Sequence, residues 1–281
     1  MKDKQDKQTK EVVNLTGVPE TMLWTLHNRA AEARRPDGFL RDPDCVRIYD
    51  AIDYDYTRSF GKPDTSHPLR SRMFDDVVKP WIAAHPGGAV VELAAGLETQ
   101  FQRVDDGHVR WYCVDLPEAL AVRERFIPSS ERCKYIPKSV LDFSWMDDVD
   151  GSQGVFVTAQ GLFMYFEEED VRRLVVDIAE CFPGVDLMFD TIPTWFANKT
   201  MKGYDKTEHY RSPPMPWGVS RDDLEPLLSK WSPRIESVQP QNYGIVPRGL
   251  SGVVLKVFSI TPGLRNFTPV IVHVKTKAVT A

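Results

Sequence analysis

The sequence predicts an α/β fold with a mainly parallel sheet, because short apolar strands alternate with helical segments from residue 89 onward. The clearest helix, residues 167–182, carries apolar side chains at three- and four-residue steps and begins with four acidic residues. Residues 90–99, VVELAAGLET, pass from an apolar strand into a turn of small residues. We therefore expect helices on both faces of the sheet.

Short apolar segments bounded by turn residues are the candidate strands. They are residues 89–93, 109–114, 134–136, 155–159, 187–189 and 252–258. Ahead of them, helical spacing within residues 20–55 and 69–82 predicts a helical cap. The first ten residues are charged, lack an apolar period and are expected to be disordered.

The chain is expected to form one structural domain. Its parts are a tail and helical cap over residues 1–85, a core over 86–262 and a tail or edge strand over 263–281. Periodicity is lost from residue 193 to 219, where aromatic residues and prolines accumulate. A segment of that length predicts a lid-like insert or a short helix.

Composition limits the classes of function. The 281 residues have an apolar content of 42%, enough for a packed core, and a formal net charge of -5 without a Lys/Arg block. We expect no nucleic-acid partner and, without an apolar run of roughly 20 residues, no membrane span. The four cysteines and six histidines show no disulfide-framework or metal-ligand spacing. We predict a cytoplasmic protein without a metal site.

The turn after the first core strand indicates a nucleoside-bearing cofactor. Gly96 lets the backbone approach a ligand, and Asp115, which ends the next apolar strand, can accept hydrogen bonds from a ribose diol. Dinucleotide turns carry three glycines for a pyrophosphate, whereas residues 94–99 carry one glycine and Glu98, an anion that would repel it. S-adenosylmethionine has no phosphate, and Glu92 could receive its ammonium group. These features favour S-adenosylmethionine over NAD.

Structural explanations of the same residues stay open. Asp115 could cap the helix that begins at Pro117, and Tyr165 could be a core or rim aromatic. His209 could act as a base on a hydroxyl acceptor or be a solvated loop residue. Gln160 is a polar amide at the carboxyl end of a buried strand, where α/β folds bind ligands.

Several motifs in order resemble the leucine carboxyl methyltransferase superfamily, in particular its tetracenomycin O-methyltransferase-like bacterial branch. They are residues 70–76 (RSRMFDD), 91–99 (VELAAGLET), 114–118 (VDLPE), 139–142 (SVLD), 159–165 (AQGLFMY), 189–193 (FDTIP) and 213–218 (PPMPWG). The resemblance covers roughly residues 65 to 260. Two departures are Ala94-Ala95-Gly96, where much of the superfamily has Gly-Ala-Gly, and Gln160, where carboxyl methyltransferases often have Glu.

The resemblance implies a Rossmann-like class I methyltransferase fold, with a seven-stranded, mostly parallel sheet and a cap over the substrate cleft. It implies that Arg72 pairs with the carboxylate of S-adenosyl-L-methionine, that Gly96 lies under the methionine moiety and that Asp115 holds the ribose. Leu141 and Asp142 would meet the adenine.

The predicted site has further members. Leu116 and Glu92 complete the cofactor set, and Gln160 and Tyr165, as the catalytic pair, would face the sulfonium or the acceptor. The predicted acceptor pocket consists of Tyr54, Trp195, His209, Tyr210 and Trp217.

These features together predict an O-methyltransferase that acts on a carboxylate or acidic hydroxyl of a small or mid-sized metabolite, polyketide-like or another secondary metabolite. A carboxylate is already ionised at neutral pH and needs no base. The alternatives are a non-catalytic methyltransferase-like binding module, a carboxyl methyltransferase of a protein C terminus and, less favoured, an NAD(P)-dependent oxidoreductase. The expected partners are a small-molecule acceptor and, as an option, a second copy in a homodimer.

Overall fold

A computed structural model describes residues 10–242, 253–254, 257–258 and 260–278. The helices in these residues are α1 (Thr21–Ala33), α2 (Pro43–Ala51), α3 (Tyr56–Phe60), α4 (Ser66–Ala84), α5 (Gln100–Val104), α6 (Pro117–Phe126), α7 (Glu168–Cys181), α8 (Thr194–Met201) and α9 (Arg221–Leu228). The strands are β1 (Glu11–Val12), β2 (Ile52–Asp53), β3 (Ala89–Leu93), β4 (Arg110–Asp115), β5 (Cys133–Pro137), β6 (Val155–Ala159), β7 (Asp186–Thr191), β8 (Tyr204–Thr207), β9 (Tyr210–Ser212), β10 (Ile235–Asn242) and β11 (Val270–Thr276).

The centre of the fold is a seven-stranded sheet in the order β10-β11-β7-β6-β3-β4-β5. Strands β3 to β7 pair in parallel, whereas β11 runs antiparallel to both of its neighbours. Every residue of β3 and β6 is buried, as expected of parallel strands covered by helices on both faces. The mostly parallel seven-stranded sheet predicted from the sequence is confirmed.

The central strands lie where the sequence places them, but the C-terminal part of the sheet differs. Strand β11 lies inside the sheet, between β7 and β10, and not at its edge. The edge position belongs to β10, which the sequence analysis missed because its residues IESVQPQN are mostly polar. An edge strand tolerates both the polar side chains and Pro240, since one side of its backbone needs no partner strand.

The predicted strand over residues 252–258 is wrong where it can be compared. Residues 253–254 and 257–258 are helical, and the rest of that segment lies outside the described residues, as do residues 1–9. Segment 193–219 contains helix α8 and the β8–β9 hairpin, so the alternative of a missed helix holds there. The boundaries proposed for tail, cap and core stay predictions.

Side chains from the two faces of the sheet enter separate apolar clusters, because successive strand residues point to opposite faces. Val91 packs with α7 and α9, and Val90 packs with α4 and α6. A third cluster joins α1, α2 and α3 into the cap, where Leu23, Leu26 and Ile48 are fully buried. The cap therefore lies against the sheet layer through α1 and α4.

The described residues can be compared with two classes of protein, those with membrane-spanning helices and those with disulfide bonds. No described helix is long and apolar enough to cross a bilayer. The four cysteines, Cys45, Cys113, Cys133 and Cys181, are all free thiols.

The turn that follows β3 is strained. Ala94 has a φ of 52°, the left-handed region that glycine favours, and is the non-glycine residue with positive φ in the described part of the chain. That conformation costs an L-residue about 1–2 kcal/mol. The Ala94 N–H donates to the Val114 carbonyl at 2.7 Å, which ties the strained residue to β4. The methyl group at this position is therefore retained against a backbone penalty.

We expect Ala94→Gly to leave the free energy of unfolding unchanged or to raise it by up to about 1 kcal/mol. Relief of left-handed strain (about 1–2 kcal/mol) outweighs the extra entropy of glycine in the unfolded chain (about 0.4–1 kcal/mol). Ala95→Gly is the matched control; Ala95 is buried without a positive φ, and its replacement should cost about 0.5–1 kcal/mol. Urea unfolding measures both, and equal losses would contradict the strain at Ala94.

Candidate functional site

A cavity of about 310 Å³ opens at the carboxyl ends of β3, β4 and β6. This is the edge at which open α/β sheets bind ligands, and the volume lies at the lower end of the usual range for ligand pockets. Six residues predicted from the sequence line it, namely Glu92, Gly96, Asp115, Leu116, Gln160 and Tyr165. The opposite wall comes from the start of the cap, including Thr21, Met22 and Thr25 of α1, which the sequence analysis did not identify.

Asp115 is a buried carboxylate at the end of β4. Its Oδ2 accepts from the Gly96 N–H and its Oδ1 from the Leu116 N–H, both at 2.8 Å. Burial raises the pKa of Asp115, and these hydrogen bonds oppose that effect. A carboxylate has about four acceptor sites, so two remain for a ligand. The side chain thus has acceptor sites left for a ligand, and its contact with a ribose diol stays a prediction.

Glu92 lies deeper, at 2% exposure, on the cavity wall. Its Oε2 accepts from the Trp111 indole N–H at 3.0 Å, whereas its Oε1 has no hydrogen-bond partner among the described residues. Burial raises the pKa of Glu92 well above its ordinary value. Buried polar atoms are nearly always hydrogen-bonded, and the ammonium group of a ligand would supply a donor for Glu92 Oε1.

Glu98 does not present the free anion that the sequence analysis expected in the turn. Its Oε1 accepts from the guanidinium groups of Arg29 at 2.9 Å and Arg103 at 2.7 Å. Although burial opposes them, these two cations lower the pKa of Glu98 to about 2. The carboxylate is ionised but neutralised, so repulsion by Glu98 is a weak reason to exclude a pyrophosphate. The missing glycines remain the stronger reason.

The arginine of α4 that lines the cavity lies two positions before Arg72, the arginine predicted to meet the cofactor. Arg72 lies on the outer face of α4, with its side chain 47% exposed and its Nε donating to Asp76 at 2.8 Å. Arg70 is 7% exposed and lines the cavity. Two positions on a helix point roughly 200° apart. The signal was present in the sequence, because Arg70 precedes the apolar Phe74 by four residues and therefore shares its buried face.

Asp190 and Gly161 hold Arg70 in place. Arg70 Nη1 donates to Asp190 Oδ2 at 3.0 Å, and Asp190 Oδ1 accepts from the Gly161 N–H at 2.5 Å. Gly161 has a φ of 66°, and a Cβ there would lie 2.7 Å from Arg70 Nη1. The guanidinium therefore rests against a backbone that only glycine can provide. Neither Gly161 nor Asp190 was predicted as a site residue.

Gln160 and Tyr165 lie together at the end of β6. Gln160 Nε2 makes a long contact of 3.4 Å with Gln100 Oε1, and Gln160 Oε1 has no partner among the described residues. Burial raises the pKa of Tyr165 to about 12. The Tyr165 hydroxyl is therefore protonated at neutral pH and acts as a hydrogen-bond donor, and the Gln160 amide does not titrate.

The segment predicted to meet adenine borders the cavity. Ser139 and Val140 line it, directly before Leu141 and Asp142. The exposed Asp142 accepts from the N–H and hydroxyl of Ser144 at the start of a 3₁₀-helix, and these bonds lower its pKa. Contacts of Leu141 and Asp142 with adenine stay a prediction.

The five residues predicted for the acceptor pocket do not lie on the cavity wall. Trp217 is 2% exposed and packs against Phe163 and Phe189 in the core, so that prediction is wrong. Trp195 is exposed, with its indole N–H donating to the Phe267 carbonyl.

The other three belong to the cap region. Tyr54 and Tyr210 pack on Phe60, and His209 is exposed beside Glu208. Segment 193–219 forms a helix and a hairpin with packing partners of their own, and Tyr54, outside that segment, donates its hydroxyl to Glu20 at 2.9 Å.

Among the residues that the structure describes, no group of three or more His, Cys, Asp or Glu side chains could hold a metal ion.

We expect Glu92→Gln to raise the free energy of unfolding more at pH 8 than at pH 5. The folded-state pKa of Glu92 is raised, so its contribution to stability is complete below about pH 4.5 and falls as the pH rises, by up to about 1.4 kcal/mol per pH unit. Glutamine does not ionise and escapes this loss. Urea unfolding at pH 5, 6.5 and 8 measures the difference. Glu118→Gln, at an exposed position on α6, is the control, and a difference for Glu92→Gln that does not grow with pH would refute the expectation.

Comparison with known proteins gives related sequences and a shared fold. Residues 23–179, more than half of the chain, match the family model described as leucine carboxyl methyltransferase. The tetracenomycin polyketide synthesis O-methyltransferase TcmP of Streptomyces glaucescens is 32% identical over 188 residues, which cover 66% of this chain and 70% of that protein.

A second related sequence and a solved structure are also methyltransferases. The S-adenosyl-L-methionine-dependent methyltransferase dpfgK of Gibberella zeae is 28% identical over 188 residues, 60% of this chain and 63% of that protein. The crystal structure of the small RNA methyltransferase HEN1 matches with a TM-score of 0.51 at 16% identity, over 82% of this chain and 28% of that one, and shows the fold alone.

The fold predicted from the sequence, a Rossmann-like class I methyltransferase fold, is thus confirmed. The cavity wall presents the Asp115 carboxylate, the Glu92 carboxyl group with one unpartnered oxygen and the Arg70 guanidinium paired with Asp190. The chain belongs to the leucine carboxyl methyltransferase family of S-adenosylmethionine-dependent methyltransferases.

Proposed function

We propose that this methyltransferase transfers the methyl group to an oxygen atom of a small or mid-sized metabolite, and that the acceptor group is a carboxylate or an acidic hydroxyl. The observation that carries the proposal is the composition of the cavity wall. Groups suited to the cofactor lie at the ends of β3 and β4, and the protonated phenol of Tyr165 lies with Gln160 at the end of β6.

The cofactor would be held by charged side chains and by the backbone of the turn after β3. Asp115 accepts from the ribose hydroxyls, Glu92 faces the ammonium group and the planar guanidinium of Arg70 pairs with the carboxylate. Gly96 lies under the methionine moiety, and Leu116 flanks the nucleoside. When bound, the cofactor supplies an electrophilic methyl group.

The acceptor would arrive already ionised. In the described cavity wall, no histidine or lysine is available as a general base, and Tyr165 keeps its proton at neutral pH. A carboxylate or an acidic phenol needs no such base. The hydroxyl of Tyr165 offers a hydrogen bond to an anionic oxygen, whereas those of Thr21 and Thr25 already donate to the Val18 and Met22 carbonyls. Gln160 and Tyr165 then orient the acceptor and exclude water, which is what an in-line displacement requires of the protein.

The relatives support the acceptor class. One is named as an O-methyltransferase of tetracenomycin polyketide synthesis, and it shares 32% identity with this chain over 188 residues. The family-model match, residues 23–179, contains strands β3 to β6. We infer an acceptor of comparable chemistry, a metabolite with an ionisable oxygen, from this relationship and from the absence of a base in the described wall.

Asp115→Ala should weaken binding of S-adenosylhomocysteine by at least about a hundredfold, because it removes two charge-assisted hydrogen bonds to the ribose. Titration calorimetry with the folded protein measures this loss. Glu118→Ala, three residues later on the exposed face of α6, is the control and should bind like the wild type. Retained micromolar binding by Asp115→Ala would remove the ribose role. Failure of the folded wild type to bind would favour a non-catalytic module.

Arg70→Met should weaken binding of S-adenosylhomocysteine by about tenfold or more, since a charge-assisted pair with the methionine carboxylate is lost. Binding of 5′-methylthioadenosine, which has no carboxylate, should change less than twofold. Arg72→Met is the matched control, because Arg72 belongs to the same helix but pairs with Asp76 outside the cavity. Equal losses for Arg70→Met and Arg72→Met, or for both ligands, would contradict the assignment.

A further inference from the structure

The turn between β3 and α5, residues 94–99, is held from below by two buried guanidinium groups. The carbonyls of three consecutive residues, Gly96, Leu97 and Glu98, each accept a hydrogen bond from an arginine side chain. The same turn provides the backbone that borders the cavity.

Arg123 of α6 makes two of these contacts. Its Nη1 donates to the Gly96 carbonyl at 3.0 Å and to the Glu98 carbonyl at 2.6 Å. Its Nε donates to the Tyr135 hydroxyl at 3.0 Å, which fixes the guanidinium from the opposite side. Arg123 is fully buried, and its charge lowers the pKa of Glu92 against the larger effect of burial.

Arg29 of α1 makes the third contact. Its Nη2 donates to the Leu97 carbonyl at 2.7 Å, and its Nη1 donates to the side chains of Glu98 and Thr99 at 2.9 and 3.0 Å. Arg29 is 1% exposed. Because α1 also carries Thr21 and Met22 on the cavity wall, Arg29 ties the cap to the turn.

The turn contains a strained residue, so its shape depends on the groups that surround it. Ala94 occupies the left-handed region at a cost, and a strained backbone persists only where its surroundings over-determine it. The held carbonyls of residues 96–98 fix the backbone directly after the Gly96 N–H, which donates to Asp115 Oδ2 at 2.8 Å. The orientation of the ribose acceptor thus depends on groups outside the cavity.

We propose that Arg123 and Arg29 are positioning residues for the cofactor, which hold the carbonyls of residues 96–98 so that Gly96 and Asp115 keep their binding geometry. Neither guanidinium borders the cavity. The proposal rests on the cofactor site assigned under the proposed function and goes beyond it, because it places part of the affinity for the cofactor in residues that do not touch the ligand.

The test is the dissociation constant of S-adenosylhomocysteine, measured by calorimetry on the full chain. Arg123→Met should weaken binding by about tenfold or more, as should Arg29→Met. Arg123→Lys should restore affinity to within threefold of the wild type, since a single nitrogen of Arg123 donates to both carbonyls and an ammonium group can do the same. A purely structural role for a buried side chain predicts no such rescue.

Arg110→Met is the matched control. Arg110 donates to the Gly87 carbonyl at 2.9 Å at the opposite end of the sheet, so its loss should lower the melting temperature and leave affinity within twofold. If Arg123→Met does not fold, Tyr135→Phe tests the proposal in its place. This variant removes the acceptor of Arg123 Nε and should weaken binding of S-adenosylhomocysteine about threefold.

Wild-type affinity in Arg123→Met would overturn the proposal, as would a loss in Arg123→Lys equal to that in Arg123→Met, or unchanged binding by Tyr135→Phe. Absence of binding by the wild type itself would instead refute the proposed function.

Discussion

The fold depends on one buried set of charges at the junction of cap and sheet. The carboxylates of Asp42, Asp75 and Glu98 meet the guanidinium groups of Arg29 and Arg103 there. Removing one partner from such a set leaves an uncompensated buried charge, at a cost of about 3–5 kcal/mol. The set joins the first and fourth cap helices to the turn after β3, so cap and sheet can dock in one arrangement.

The same junction explains the chemistry of the site. A parallel sheet brings the ends of β3, β4 and β6 to one edge, and the cavity forms where the cap closes over that edge. The site then retains features that cost stability, a left-handed alanine and a buried acid without a full set of partners. Such costs persist at functional sites because the ligand supplies the missing interaction.

The confirmed sequence predictions depend on local patterns. Strands β3 and β6 have the predicted bounds, because a buried parallel strand is a nearly continuous apolar run, here AVVEL and VFVTA. Gly96, Asp115 and Gln160 reach the cavity because the ends of parallel strands share an edge. The errors concern residues whose surroundings come from distant parts of the chain. Trp217 is a large aromatic residue of the kind that lines ligand pockets, but it packs against Phe163 and Phe189 in the core.

The sequence by itself determined the α/β class, the central strands and the cofactor, since each follows from periodicity or from residue types a few positions apart. Tertiary structure alone decided that β11 enters the sheet and that β10 takes its edge. It also decided that Glu98 is neutralised by Arg29, 69 residues away. The physical reason is that burial and ion pairing are properties of the space around a side chain, which elements remote in sequence create.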